Sequence, residues 1–329
     1  MPTQREVQVA IDPLEKDIRD QFAEMVASVV GATTIVRVVS ALNSVDGVVD
    51  EAGISRPAMN DLLESIRDTY KAGGKFEAPQ ARIRFDYRNV AAETWLRDHS
   101  SQFVTRVQNQ QREAIRLVLE SGTRLGRNPR QTALDIVGRI DATGRRRGGI
   151  VGLTDQQAGY AARAREQLLS GNTGQMRDYL TRQRRDRRFD KRVLRAIEAG
   201  KPVTQIDTDR IVGRYNSRLL SLRGESIART ESLEAFNVAR DQAWEQAVNE
   251  GVIQRQNVTK TWRSGGDLRV RNTHSAMNGQ KIDKDSVFIS PSGARLMHPG
   301  DTSLGAGAEE IVMCRCIAQY KGDFVAEAR

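Results

Sequence analysis

Between residues 89 and 121 the chain has neither glycine nor proline, and this stretch limits the fold more than any other. Leu96, Phe103, Val107, Ala114 and Leu117 recur at spacings of seven, four, seven and three, which is the period of one apolar helix face. A helix of about 30 residues is about 45 Å long, more than a compact domain needs, so the sequence predicts elongated helical N-terminal and middle regions. The composition agrees. Only 39% of the 329 residues are hydrophobic and 5% aromatic, a thin aliphatic supply that suits amphipathic helices better than a thick β-sandwich. The length allows about two domains.

Charge is unevenly placed. The formal net charge is +9. Residues 1–100 carry net −4, residues 231–329 net −1, and residues 101–230 hold 27 basic against 13 acidic side chains, net +14. A basic block suits a polyanion or an acidic protein surface; solvated faces of Arg-rich helices are the plainer alternative. Tyr160, Tyr179, Phe189 and Tyr215 are the only aromatics from 104 to 230, too few for base stacking. Contact with DNA would then be to phosphates. The candidates are Arg145, Arg146 and Arg147 in one run and Arg182, Arg184, Arg185, Arg187 and Arg188 in another.

Several classes are disfavoured. Cys314 and Cys316 alone cannot make a disulfide framework, which points to a reducing site of synthesis. Residues 1–10 lack an apolar signal core. The uncharged run 25–36 is 12 residues, short of the roughly 20 that span a bilayer, so no stable membrane span is expected. No phosphate-binding G-x4-G-K-[ST] loop occurs.

Along the chain, Asp12-Pro13 reads as a helix start, and Lys71 through Gly74 as the end of a helix opened near Pro57. Ile83, Phe85 and Tyr87 alternate with charged residues, the pattern of a short strand over 82–87. Residues 124–152, rich in Arg and Gly, read as a flexible connector. Thr154 and Gln157 have capping-box spacing. Helices are expected from Thr204 toward Leu222 and over 225–250. Beyond Gly251 come a strand over 258–263, a short helix over 267–277 with Asp267 as its cap, turns at Pro291-Ser292-Gly293 and Pro299-Gly300-Asp301, and a closing strand over 311–318. The fold class is therefore mostly α with a small C-terminal α+β module, divided as 1–80, 81–224 and 225–329.

The chemistry-bearing residues gather in the last part: Arg229, Glu231 and Asn237 on a helix, Trp262 on a strand, Asp267, Arg269, Arg271 and His274 on the short helix, Asp301 in a turn, and Cys314 and Cys316 on the closing strand. Two cysteines two apart on a strand share a face. They read either as small buried apolar groups or, with His274 and a fourth ligand such as His298 or Asp301, as a zinc shell. No cofactor is required by the first reading. His274 itself reads as a core-edge histidine, and Asp267 with Arg271 as a helical pair. A buried Arg–Glu network explains the polar residues without catalysis. The spacing shows no nucleophile–base pair, and an enzyme is not expected; a metal-dependent hydrolase is the catalytic alternative.

In this order and spacing, IARTE (227–231) with Asn237, Trp262, DLRVRNTH (267–274), Gly279, Phe288, Gly293, PGD (299–301) and CRC (314–316) resemble the phage head morphogenesis family typified by the F protein of phage Mu. One departure is Met313, where Asn often precedes the CRC. The resemblance implies a structural minor head protein of a tailed bacteriophage. It would be made in the host cytoplasm and reside inside the phage head. Its expected partners are the portal protein, the inner capsid surface and packaged double-stranded DNA, with homo-oligomers around the portal. Ejection with the genome is the alternative fate.

Overall fold

The computed structural model describes residues 1–266 and 269–325. In chain order the helices are α1 (Gln4–Ala32), α2 (Ile35–Ala41), α3 (Val45–Ala52), α4 (Asn60–Ala81), α5 (Val90–Arg124) and α6 (Pro129–Val137). A hairpin follows, β1 (Arg139–Ile140) and β2 (Arg146–Arg147). Then come α7 (Asp155–Leu169), α8 (Thr173–Leu180), α9 (Asp190–Glu198) and α10 (Gln205–Asn249). The last part holds β3 (Val258–Arg263), α11 (Asn272–Met277), β4 (Lys281–Asp283), β5 (Phe288–Ile289), β6 (Arg295–Leu296), α12 (Ala308–Ile311) and β7 (Ile317–Gly322). The fold is mostly α with a small C-terminal α+β module.

Two compact units form from separate stretches. The first comprises Met1–Gln21, Asp61–Ser100 and Glu225–Arg329; the second comprises Phe22–Asn60 and Ser101–Gly224.

In the first unit the antiparallel sheet β4-β3-β7 lays alternate β3 residues Val258, Lys260 and Trp262 inward. They join a core with Trp244, Phe236, Phe288, Leu296 and Tyr320. A chain of buried polar contacts ties this core together. Arg240 on α10 donates through Nε to Glu77 Oε2 on α4 at 2.7 Å, and Trp244 Nε1 donates to Glu77 Oε1 at 3.0 Å. Arg240 also donates to Asn237 Oδ1 at 3.2 Å. Asn237 Nδ2 donates in turn to the Pro299 carbonyl at 2.9 Å.

In the second unit two carboxylates gather three guanidinium groups. Asp135 on α6 meets Arg127 at 2.6 Å, Arg165 at 2.8 Å and Arg139 at 3.0 Å; Asp209 on α10 meets Arg127 at 3.0 Å, Arg139 at 2.9 Å and also Arg165. Part of the basic excess of the middle region is therefore internal.

Local differences from the sequence expectations have physical causes. Helix α1 begins at Gln4 and carries Pro13 in its interior. Its start is a capping box at Thr3, whose amide donates to Glu6 Oε2 at 2.7 Å while the Glu6 amide donates to Thr3 Oγ1 at 3.2 Å. Helix α4 runs through Gly73 and Gly74 to Ala81. These glycines serve close approach: a Cβ on Gly73 would lie 2.4 Å from the Phe236 carbonyl oxygen, and one on Gly74 would enter the Phe85 ring. The expected strand over 82–87 is irregular chain instead. Phe85 fills the Gly74 notch, and Gln246 takes both backbone groups of Asp86 at 2.8 Å, where a strand would need a neighbour. The stretch 124–152 is not a bare connector; it holds α6 and the β1–β2 hairpin. The two helices expected either side of Gly224 are one, α10. Helix α11 begins at Asn272; Asp267, its expected cap, lies outside the described residues. The closing strand β7 starts only at Ile317, so Cys314 and Cys316 sit in the loop before it.

Removing one carboxylate from the second unit's cluster leaves three guanidinium groups on the other. Asp135→Asn is expected to lower unfolding free energy by about 3–5 kcal/mol, measured as a shift in urea denaturation followed by circular dichroism.

Candidate functional site

The loop ahead of β7 turns inward because of Met313. Its φ is 59°, in the left-handed region, and its amide donates to Thr230 Oγ1 on α10 at 3.2 Å. Arg271 anchors the same loop by donating from Nη2 to the Val312 carbonyl. Helix α11 is held against β3 by the turn at Gly279, φ 86°, whose amide donates to the Trp262 carbonyl at 2.9 Å. These two anchors bring His274 between the cysteines.

His274 Nδ1 lies 3.4 Å from Cys314 Sγ and 3.5 Å from Cys316 Sγ. Its other nitrogen, Nε2, is 2.7 Å from Glu310 Oε2 on α12. Ser292 donates to Glu310 Oε1 at 2.5 Å, and Thr273 donates to Oε2 at 3.2 Å. Trp262 meets the imidazole edge-on, ring centres 5.2 Å apart. His274 and Cys316 are 1% exposed, Cys314 3% and Glu310 2%. The hydrogen bond from Cys316 holds the Cys314 thiol well below its ordinary range against burial, with His274 adding to the effect. Cys316 is pushed up by its bond to Cys314 and by burial. Burial lowers the affinity of His274 for a proton, but Cys314 and Glu310 outweigh it and the net direction is up. Folding thus makes a thiol–imidazole–carboxylate row from residues that sequence spacing keeps apart. Such a row can hold a soft metal ion or activate a thiol, and its burial favours the first.

His298 and Asp301 do not join the cluster. His298 Nδ1 faces the Pro299 carbonyl at 3.3 Å, and Asp301 accepts the Met297 amide at 2.6 Å and the Ser303 amide at 2.8 Å to shape the Pro299-Gly300-Asp301 turn. Arg229 makes a two-oxygen ion pair with Glu15, both contacts 2.7 Å. Arg269 is exposed.

A second titratable cluster lies on α5 and α10. His99 Nε2 is 2.8 Å from Glu231 Oε2, and Nδ1 is 3.9 Å from Glu234 Oε1. Trp95 stacks on the imidazole with ring centres 4.5 Å apart, and Thr302 donates to Glu234. Burial pushes the Glu234 carboxyl up to about 7; Glu231 and Asp301 push the same way, while His99 and Thr302 oppose.

Sequence reading missed Glu310, Ser292, Glu234, Glu77 and Arg240. A helix-period count on α10 would have placed Arg240 three residues beyond Asn237, on the same face. Nothing local signals Glu310.

The basic residues divide. Arg145, Arg147, Arg184, Arg187 and Arg188 are exposed; Arg146, Arg182 and Arg185 are half-buried. Arg147 pairs with Asp141 at 2.9 Å, Arg188 with Asp186 at 2.6 Å and Arg185 with Asp190 at 3.0 Å. Arg182 donates to Gln167 at 2.9 Å, and Arg146 to the Gly138 carbonyl at 3.3 Å. Arg145, Arg184 and Arg187 make no ion pair among the described residues.

Two substitutions test this geometry. Asn accepts the left-handed region more readily than Met, and Met313 is partly exposed, so Met313→Asn should raise stability by about 0.5–1 kcal/mol in urea denaturation. Glu234 holds its proton more tightly folded than unfolded, since its ordinary pKa is near 4.5. Its contribution is complete below about pH 4.5 and is lost as pH rises through about 7. Glu234→Gln, which keeps a neutral side chain, should reduce the loss in urea midpoint between pH 5 and pH 8.

No curated protein and no solved structure matches the chain. Residues 187–319 match the family model described as Phage Mu protein F like protein. The match takes in α9, α10 and the module through the first half of β7, so it begins upstream of the motif set and includes Arg187 and Arg188. Residues 187–319, with their Arg229-to-Cys316 motif set, are therefore similar to the phage Mu protein F like family.

Proposed function

We propose that this chain is a structural minor head protein of a tailed bacteriophage that docks at the portal and contacts packaged DNA through its second unit. The observation that carries the reading is the family match over residues 187–319. The described chemistry accords with a scaffold: Arg229, Asn237 and Arg271 each hold another chain segment in place, and Asp301 shapes its own turn. Among the described residues no single helix is long and apolar enough to cross a membrane.

Charge supports the DNA part. The second unit holds 28 basic against 16 acidic side chains, net +12, whereas the first holds net −3. Exposed guanidinium groups that lack an internal carboxylate attract phosphates without reading sequence. Arg145, Arg184 and Arg187 meet that description; Arg188, Arg185 and Arg147 share their charge with aspartates. The acidic surface of another head protein would attract the same face. Residence inside the head, homo-oligomers around the portal and release with the genome extend this reading.

Two measurements test it. Mass spectrometry of purified heads, before and after triggered DNA release, should find the chain before release; its absence from both mature and precursor heads would refute a head role. Binding to duplex DNA should weaken with salt, and Arg184→Ala with Arg187→Ala should reduce the magnitude of the log–log salt slope by about 2. An unchanged slope would remove these residues from the contact.

A further inference from the structure

We propose that His274, Cys314 and Cys316 bind one zinc ion, with Glu310 orienting the imidazole from its far side. The donor spacing carries the argument. Zinc bonds to thiolate sulfur at about 2.3 Å and to imidazole nitrogen at about 2.0–2.1 Å in tetrahedral geometry. Those lengths require a nitrogen–sulfur separation of about 3.5–3.6 Å. The two separations here are 3.4 and 3.5 Å, and both sulfurs face the same nitrogen, Nδ1. A single Nδ1 hydrogen has no reason to be equidistant from two sulfurs. An ion bound at all three donors does. All the donor atoms lie within 4.8 Å of one another.

The surroundings are those of a ligand shell. Histidines that bind metal through one nitrogen commonly donate from the other to a carboxylate, which fixes tautomer and ring plane. Here Nε2 faces Glu310 Oε2 at 2.7 Å. Glu310 is itself fixed by Ser292 and Thr273, so the orienting group is held in turn. The indole Nε1 of Trp262 is buried without a hydrogen-bond partner. On binding, both sulfurs act as thiolates and their protons leave to solvent, while Nδ1 offers its lone pair and Nε2 keeps its hydrogen for Glu310. Two sulfurs and one imidazole are soft donors that suit zinc over magnesium or calcium. One position of a four-coordinate ion remains for a small exogenous donor such as water.

The consequence is structural. The ion would cross-link α11 to the loop before β7, where Met313 adopts its left-handed conformation. This does not depend on the head-protein reading, because its test reads metal and not particles.

The experiment uses the full chain. Protein purified without chelator should carry about one zinc per chain by elemental analysis. Metal-free protein, prepared under reducing conditions, should bind one equivalent of Co²⁺ with a thiolate-to-cobalt charge-transfer band that zinc abolishes. Cys314→Ser and Cys316→Ser should each weaken the band. Glu310→Gln leaves every ligand in place and should weaken zinc affinity by about 10–100-fold while the saturated spectrum persists. Should the serine variants lose native circular dichroism, Glu310→Gln decides. The proposal is overturned by absence of the band at saturating cobalt in protein of native helicity, or by an intact mass showing Cys314 and Cys316 joined as a disulfide in reducing buffer.

Discussion

The first unit depends on a buried ion pair, Arg240 with Glu77. Neither side chain touches solvent, and two charges in that setting carry a desolvation cost of several kcal/mol each. The cost is offset because each partner finds further polar contacts. Glu77 receives a second donor from Trp244, and Arg240 reaches Asn237. The guanidinium also lies 5.7 Å from the Tyr320 ring centre, and Tyr320 donates to Asp241 at 2.9 Å. Helix α4, helix α10, the Pro299 turn and strand β7 are thereby joined through one buried polar chain. The motif residue Asn237 is intelligible in that setting, since its amide is the link between Arg240 and the Pro299 carbonyl.

Periodicity made the helices legible. Continuous apolar spacing over 89–121 corresponds to α5, and alternation over 258–263 to β3. Capping chemistry was equally clear at Thr154, where both reciprocal bonds form. Gly and Pro misled where tertiary contacts override local signals. Gly73 reads as a helix end, yet the close pass of Phe236 requires a residue without a side chain inside the helix. Gly224 likewise leaves α10 unbroken. The grouping of His274 with the cysteines was foreseen as one reading, but through a strand. The structure reaches the same convergence through a left-handed turn. Glu310, Glu77 and His99 were not legible as partners, because their contacts span 36, 163 and 132 residues.

The Met313 conformation joins the family comparison to the physics. The resemblance drawn from the sequence implies Asn at the position before the CRC, and the left-handed backbone of Met313 there is one that Asn adopts with little strain. The Met313 N–H donates a hydrogen bond to Thr230, inside the IARTE segment, and so connects two motif pieces that are 83 residues apart. The motif set thus describes a folded core more than a surface. The basic excess lies elsewhere, in the second unit, and the cluster of Arg127, Arg139 and Arg165 with Asp135 and Asp209 holds only one positive charge of it.

A double-mutant cycle on Glu77 and Arg240 tests most directly whether this ion pair holds the first unit together. Urea unfolding followed by tryptophan fluorescence reports on this unit, since Trp95, Trp244 and Trp262 all belong to it. Glu77→Leu and Arg240→Met should each cost about 3–5 kcal/mol, because each strands a buried charge. The double variant should cost about 2–3 kcal/mol less than the two single losses together. Additivity within about 0.5 kcal/mol would contradict a coupled ion pair at the centre of the unit.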